Sequence, residues 1–348
     1  MIGITAWPRA ATTSLGLLAI LLSLAPRPAS AAERLYVEAH QSKDIYIIDA
    51  TTFETLGKID IGFPVDDVVG AHDGKMVFGN ASIPNGNPIG QPDAGMVYGI
   101  STATNQILWW CSIPGMPQHL TVSLDDKRLY VVALDKNYIY VVDTATGRIV
   151  DTWYGVMGNH GTELSPDGKH LYVGNFFTRV IYAYDTATGE VDKFYRARES
   201  IRPFKIDRDE KRIYYQLSNF HGFEVQDLQS GKILQVVDLP KLTPDQHADA
   251  NGTVDHGLAI TPDGTKLLAA GSVAGYVAIY SLPDLKLLGT VAVGKAPNWI
   301  RVRADSKIAF TGNPGSNDVS VIDIGQMKEI KRIPAGQRPA RFDIVDVR

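Results

Sequence analysis

Residues 129–155 read LYVVALDKNYIYVVDTATGRIVDTWYG, and this stretch decides the fold. Two apolar runs, LYVVA and YIYVVD, flank LDKN, and a third run, RIVDTWY, follows the turn DTATG. Val, Ile and Tyr suit extended backbone because branched and flat side chains pack on a pleated surface, whereas Asp, Asn and Gly accept turn dihedrals. The pattern predicts a meander of short strands, with no amphipathic helical window of useful length.

Outward from this stretch the same pattern recurs: DIYIIDATTFETLGKIDIG, MVYGISTATNQILWWCSIPG, VIYAYDTATGEVDKFYRA, GFEVQDLQSGKILQVVDL, YVAIYSLPDLKLLGTVAVG and DVSVIDIGQMKEIKRIPAG. Counting YIYVVDTATG itself, seven copies carry the markers Asp49, Ser101, Asp143, Asp185, Asp227, Ser281 and Asp323, at intervals of 52, 42, 42, 42, 54 and 42 residues. The period is 42, with insertions of 10 and 12 residues. Four short strands in a repeat of ~40 residues make a propeller blade. The expected fold is therefore all-β: one seven-bladed β-propeller of four-stranded blades filling residues 32–348. RLYVEAHQSKDIYIID supplies only the second and third strands of the first blade. RPARFDIVDVR, at the C-terminus, matches the start of the other repeats and is expected to complete that blade.

LYVVALDKNYIYVVDTATG and LSPDGKHLYVGN resemble the YVTN-type repeats of extracytoplasmic β-propellers, whose fold is shared with the β-chain of quinohaemoprotein amine dehydrogenases and with six-phosphogluconolactonases. The resemblance covers residues 32–348 but rests on turn and strand residues that every blade needs, so it implies fold more than function. Related propellers accompany quinoprotein and haem dehydrogenases. The resemblance therefore implies a periplasmic protein that binds a small molecule or docks a redox partner in oxidative catabolism. The alternative is an enzyme in its own right, a metal- or His-dependent lyase, lactonase or oxidoreductase.

Residues 1–31 contain no acid, an apolar run from Leu15 to Ala25, and Ala29-Ser30-Ala31 at the end. This reads as a secretory signal peptide cleaved after Ala31, since the run is well short of the ~20 residues that span a bilayer. Export places the protein in a periplasm or outside the cell, away from ATP and NAD(P)H. Without this segment Lys plus Arg falls from 34 to 32 against 38 acids, leaving a net charge of −6 and no basic excess to hold nucleic acid. The single Cys111 excludes an internal disulfide, a four-thiolate zinc site and Cys-x-x-Cys-His haem attachment. A monomer is expected.

Function is expected where the repeat is broken. The 10-residue insertion falls in SIPNGNPIGQPDAG and the 12-residue one in the crossover DLPKLTPDQHADANGTVDHG, which the meander places on one face of the disc, the crossover face. Seven residues before each SPDG-like turn the innermost strand begins at the channel mouth. There the ring reads Asp66, Gln118, His160, Arg202, His256, Asn298 and Ala340, while His119 is offset by one. Where the third strand begins the ring reads Lys43, Gly95, Asn137, Arg179, His221, Gly275 and Asn317. His160 and His256 are candidate acid–base residues, and Asp66, Arg202, Asn298 and Arg179 are candidate ligand contacts. His160, His221 and His256, with His247 or Asp255, are candidate ligands for one divalent transition metal. The plainer reading is a polar channel mouth that holds ordered water. The basic run Arg196, Arg198, Arg202 and Lys205 could hold an anion or be a solvated crossover.

Overall fold

The structure, a computed structural model, describes residues 32–81, 94–240 and 253–347. The expected signal segment, most of both insertions, and His247 lie outside the described residues. Among the described residues all regular structure is β: seven four-stranded antiparallel sheets, each a blade. The innermost strands of neighbouring blades pack side by side all the way round, which closes the ring. The C-terminal strand Pro339–Val347 pairs with Ala32–Ala39, from Ala32↔Val347 to Ala39↔Pro339, and completes the first blade.

Burial explains the strand sequences. A second strand such as Arg128–Ala133, buried after its first residue, is covered on both faces by neighbouring blades, so it is apolar without alternation. An outermost strand such as Ile149–Tyr154 is exposed except at Trp153. The apolar residues form seven clusters, one at each junction between consecutive blades, so no blade has a core of its own. The repeat's acidic residues are turn-makers. Asp143 accepts from the Thr146 amide and hydroxyl at 2.8 and 2.6 Å. Asp167 accepts from Ser165 Oγ and the Lys169 amide at 2.8 and 3.0 Å. Trp109 donates to the Thr144 carbonyl of the next blade at 2.9 Å. Cys111 is buried, and burial pushes its thiol up to about 11, out of the nucleophilic range.

Candidate functional site

The innermost strands carry a repeated irregularity at the channel mouth. In the second to fifth blades two residues of this strand face one of the second strand, as where Pro117↔Ala133 is followed by Leu120↔Val131. The same shift spans Val65/Asp67, Asn159/Thr162 and Ile201/Phe204, and the first blade has it at Glu38 opposite Ala340 and Arg341. These β-bulges re-aim side chains, so adjacent residues can both serve the channel. Polar side chains from the second strands hold them. Glu38 Oε1 accepts from the Ala340 and Arg341 amides at 3.2 and 3.0 Å. Asn80 donates to the Gln118 carbonyl at 2.8 Å, whereas Gln216, opposite the fifth blade's bulge, accepts from the Gly257 amide of the sixth blade at 2.6 Å.

A cavity of about 550 Å³ opens at this mouth, and all seven innermost-strand positions from Asp66 to Ala340 line it. Glu38, His40, Arg338 and Arg341 line it as well. A second cavity, about 260 Å³, lies at the opposite mouth, among Asp67, His119, Trp299 and Arg301. Four rings stand between the two. His119 meets His160 edge-on with centroids 4.9 Å apart and stacks on Trp299 at 5.3 Å. His160 and His256 are 6.4 Å apart, and His256 lies 6.3 Å from Trp299.

His160 and His256 are buried, and Nδ1 of each lacks a hydrogen-bond partner, as do Asn298 Oδ1 and Glu38 Oε2. His119 Nε2 and Trp299 Nε1 are likewise unpartnered. Buried polar atoms are ordinarily satisfied, because an unmade hydrogen bond in a low dielectric costs about 1–3 kcal/mol. Burial first, and then the nearby cations Arg202 and Arg341, hold the pKa of His256 well below that of free imidazole. Burial, His119 and the same two arginines do so for His160. Both rings are therefore neutral near pH 7, each with one donor and one acceptor nitrogen. Glu38 is pushed up to about 8 by burial, against the pull of Arg341. Arg202 lies over Phe176 at 4.8 Å and donates to Ser218 Oγ at 2.9 Å. At the rim, His40 Nδ1 lies 2.9 Å from the Val65 carbonyl and 3.2 Å from Asp66.

The other sequence candidates lie elsewhere. His221 does not line the cavity. Its Nδ1 faces the buried Asp255 carboxylate at 3.0 Å, and its Nε2 meets the Pro240 carbonyl at 2.8 Å and Tyr276 Oη at 3.0 Å. Burial lowers its pKa, but Asp255 and the Pro240 carbonyl outweigh that and hold it above the usual imidazole value. Both nitrogens are thus committed within the protein. His160, His221 and His256 do not form a group whose ligand atoms lie within 4.8 Å of one another. Among the described residues only Asp167, His170 and Glu210 do, in and beside the turns of the opposite face. Arg179 is exposed and donates to the Arg198 carbonyl at 3.2 Å. Lys43, Arg179, Gly275 and Asn317 have φ of 63°, 59°, 72° and 63°. At these four of its seven positions the third-strand ring marks a left-handed turn residue rather than a site. Of the basic run only Arg202 reaches the cavity, while Lys205 pairs with Glu163 at 2.6 Å.

Sequence reasoning passed over Arg341 and gave His119 no role at the mouth, since each is one residue off the ring position. It also missed Glu38. The signal was there in YVEA, FGNA and YYQL, where Glu38, Asn80 and Gln216 interrupt apolar second strands.

Gly257, which follows His256, has φ +129°, and a Cβ there would sit 1.8 Å from the Asn298 carbonyl oxygen. Gly257→Ala is therefore expected to lower stability by about 1–3 kcal/mol through backbone strain alone, and to displace His256 and Asn298. Thermal melts would show it; an unchanged Tm would refute this.

No family model matches the chain, and no curated relative matches it. Solved structures do. A candidate 6-phosphogluconolactonase from Bacteroides fragilis aligns with TM-score 0.73 at 16% identity, over 92% of this chain and 100% of the other. The periplasmic gluconolactonase of Pseudomonas aeruginosa gives 0.70 at 15%, over 91% and 99%. Kuenenia stuttgartiensis hydrazine synthase gives 0.70 at 20%, over 82% and 90%. At these identities the likeness establishes the fold: this chain is similar to seven-bladed β-propellers across nearly its whole described length.

Proposed function

We propose that this is an exported propeller of YVTN type, with residues 1–31 as its signal peptide and 32–348 as its single domain, and that it binds a small polar molecule in the crossover-face cavity. The observation that carries the reading is the cavity of about 550 Å³ at the channel mouth, ringed by the polar side chains of Gln118, His160, Arg202, His256 and Asn298. A small ligand in a concave, largely preformed site meets these groups together, which a flat docking partner does not. The gluconolactonase among the similar structures is periplasmic by its name, in keeping with an extracytoplasmic setting. Among the described residues no helix is long and apolar enough to cross a membrane.

Equilibrium dialysis of residues 32–348 against a mixture of sugars, aldonolactones, hydroxy acids and amino acids, read by mass spectrometry, tests this. One class is expected to be retained. Asn298→Leu should weaken retention about tenfold to a hundredfold, since a hydrogen bond to a buried polar group is worth about 1–3 kcal/mol. No retention of any class by folded protein would refute the reading.

Turnover at the same site has one observation in its favour: two neutral imidazoles 6.4 Å apart, centroid to centroid, where a reacting group could lie between a base and an acid. If it occurs, retained material is chemically altered by the wild type and unaltered by the His160→Ala/His256→Ala double variant.

A further inference from the structure

One wall of the cavity carries a guanidinium, that of Arg341, with no carboxylate against it among the described residues. Arg341 comes from the closing C-terminal strand, and its backbone is pinned by Glu38 Oε1. Its guanidinium donates to the Asp66 carbonyl, a neutral group, and no carboxylate lies within 4.0 Å of it among the described residues. Its charge reaches Glu38, His119, His160 and His256, lowering the pKa of each, which places it close to the channel axis. Of the two buried acids that its charge reaches, Glu38 is pushed up to about 8 and so does not neutralise it near pH 7, while Asp67, which burial raises but His119 and Arg341 hold below the usual carboxylate value, is taken up by His119 at 3.3 Å and the Leu120 amide at 3.0 Å. Asp66 is taken up by His40 at the rim, 3.2 Å away. Arg202, buried over Phe176, adds a second cation to the same wall, and the exposed Arg338 stands at the mouth.

A guanidinium in a concave, half-dry site without a fixed counter-ion is a receptor for a planar anion, because its forked N–H groups match the two oxygens of a carboxylate. We propose that the molecule bound in the crossover-face cavity carries a carboxylate, received by Arg341 with Arg202 beside it, while its hydroxyl or carbonyl oxygens meet His160, His256 and Asn298. This rests on the small-molecule reading and narrows it to small hydroxy- or keto-carboxylates. It also gives the closing strand a second task. A ligand that binds only the closed ring stabilises the folded state by mass action, so it tightens the seam between the two ends of the domain.

The test uses residues 32–348 and matched probe pairs: glycolate against ethylene glycol, lactate against propane-1,2-diol, and gluconate against sorbitol. Thermal melts and isothermal titration read the binding. At least one carboxylate is expected to raise Tm and bind at least tenfold more tightly than its neutral partner. Arg341→Gln should weaken that binding at least tenfold, and Arg341→Lys should restore part of it by keeping the charge without the fork. Far-UV circular dichroism shows that each variant is folded; should Arg341→Gln not fold, Arg202→Gln carries the comparison. Three results would overturn the inference: equal binding of acid and neutral partner, carboxylate binding indifferent to both arginine substitutions, and no response to any carboxylate. Retention of an uncharged class in the dialysis experiment, lost in Asn298→Leu, would accompany the first of these if the small-molecule reading alone survives.

Discussion

Removal of residues 339–348 is expected to abolish cooperative folding rather than trim it. Those residues include the whole of Pro339–Val347, the innermost strand of the first blade. Phe342 and Val345 are 0% and 2% exposed and sit in the clusters on either side of that blade. Losing Phe342 alone costs about 3–5 kcal/mol, the scale of a buried Phe→Ala change. Deletion also strips the ladder from Ala32–Ala39, leaves Arg301 without Asp343, its partner at 2.8 Å, and uncovers Glu38. Net stabilities of only about 5–15 kcal/mol do not survive this sum. A chain ending at Arg338 should show no cooperative melt by circular dichroism. A sharp transition within a few degrees of the full domain would show that the ring does not depend on its closing strand.

The second large effect is the response to pH. Glu38 has a folded pKa of about 8 against 4.5 for the free side chain, because burial penalises its charge. The folded state therefore binds more protons than the unfolded state between those values. The stabilisation is complete below pH 4.5 and is lost as pH rises through about 8, with a slope of up to about 1.4 kcal/mol per pH unit. His160 and His256 act with the opposite sign. Their folded pKa values lie well below 6.5, so their contribution is present above pH 6.5 and is lost as pH falls. His40 and His221, raised by Asp66 and Asp255, contribute below pH 6.5 and add to the loss on the alkaline side. Stability is thus expected to fall between pH 6.5 and 9. Glu38→Gln keeps an acceptor for the Ala340 and Arg341 amides and has no proton to lose. At pH 4.5 it should match the wild type within about 1 kcal/mol, and at pH 9 it should exceed it by a few kcal/mol, the scale of a group titrating over several pH units. Denaturation curves at the two pH values decide it: parallel offsets would mean that Glu38 is not the group that titrates.

The repeat made the ring of mouth positions legible before any coordinates, because a 42-residue period fixes equivalent places in every blade. Counting along a regular strand passed over Arg341 and left His119 without a role, since a one-residue offset turns a side chain to the opposite face. The bulges opposite Glu38 and Val132 cancel that alternation, and their trace in the sequence is indirect. His221 shows the converse. It occupies a repeated position, yet what decides its role is Asp255, 34 residues away in sequence and 3.0 Å away in space.

By itself, then, the sequence determined the seven-bladed ring and the strand that closes it. These follow from local patterning and period, which chain order encodes directly. Only the tertiary structure decided which polar groups are left without partners around the axis. Desolvation and the field of Arg341 at His160, His256 and Glu38 depend on distances between different blades, and no spacing along the chain sets those.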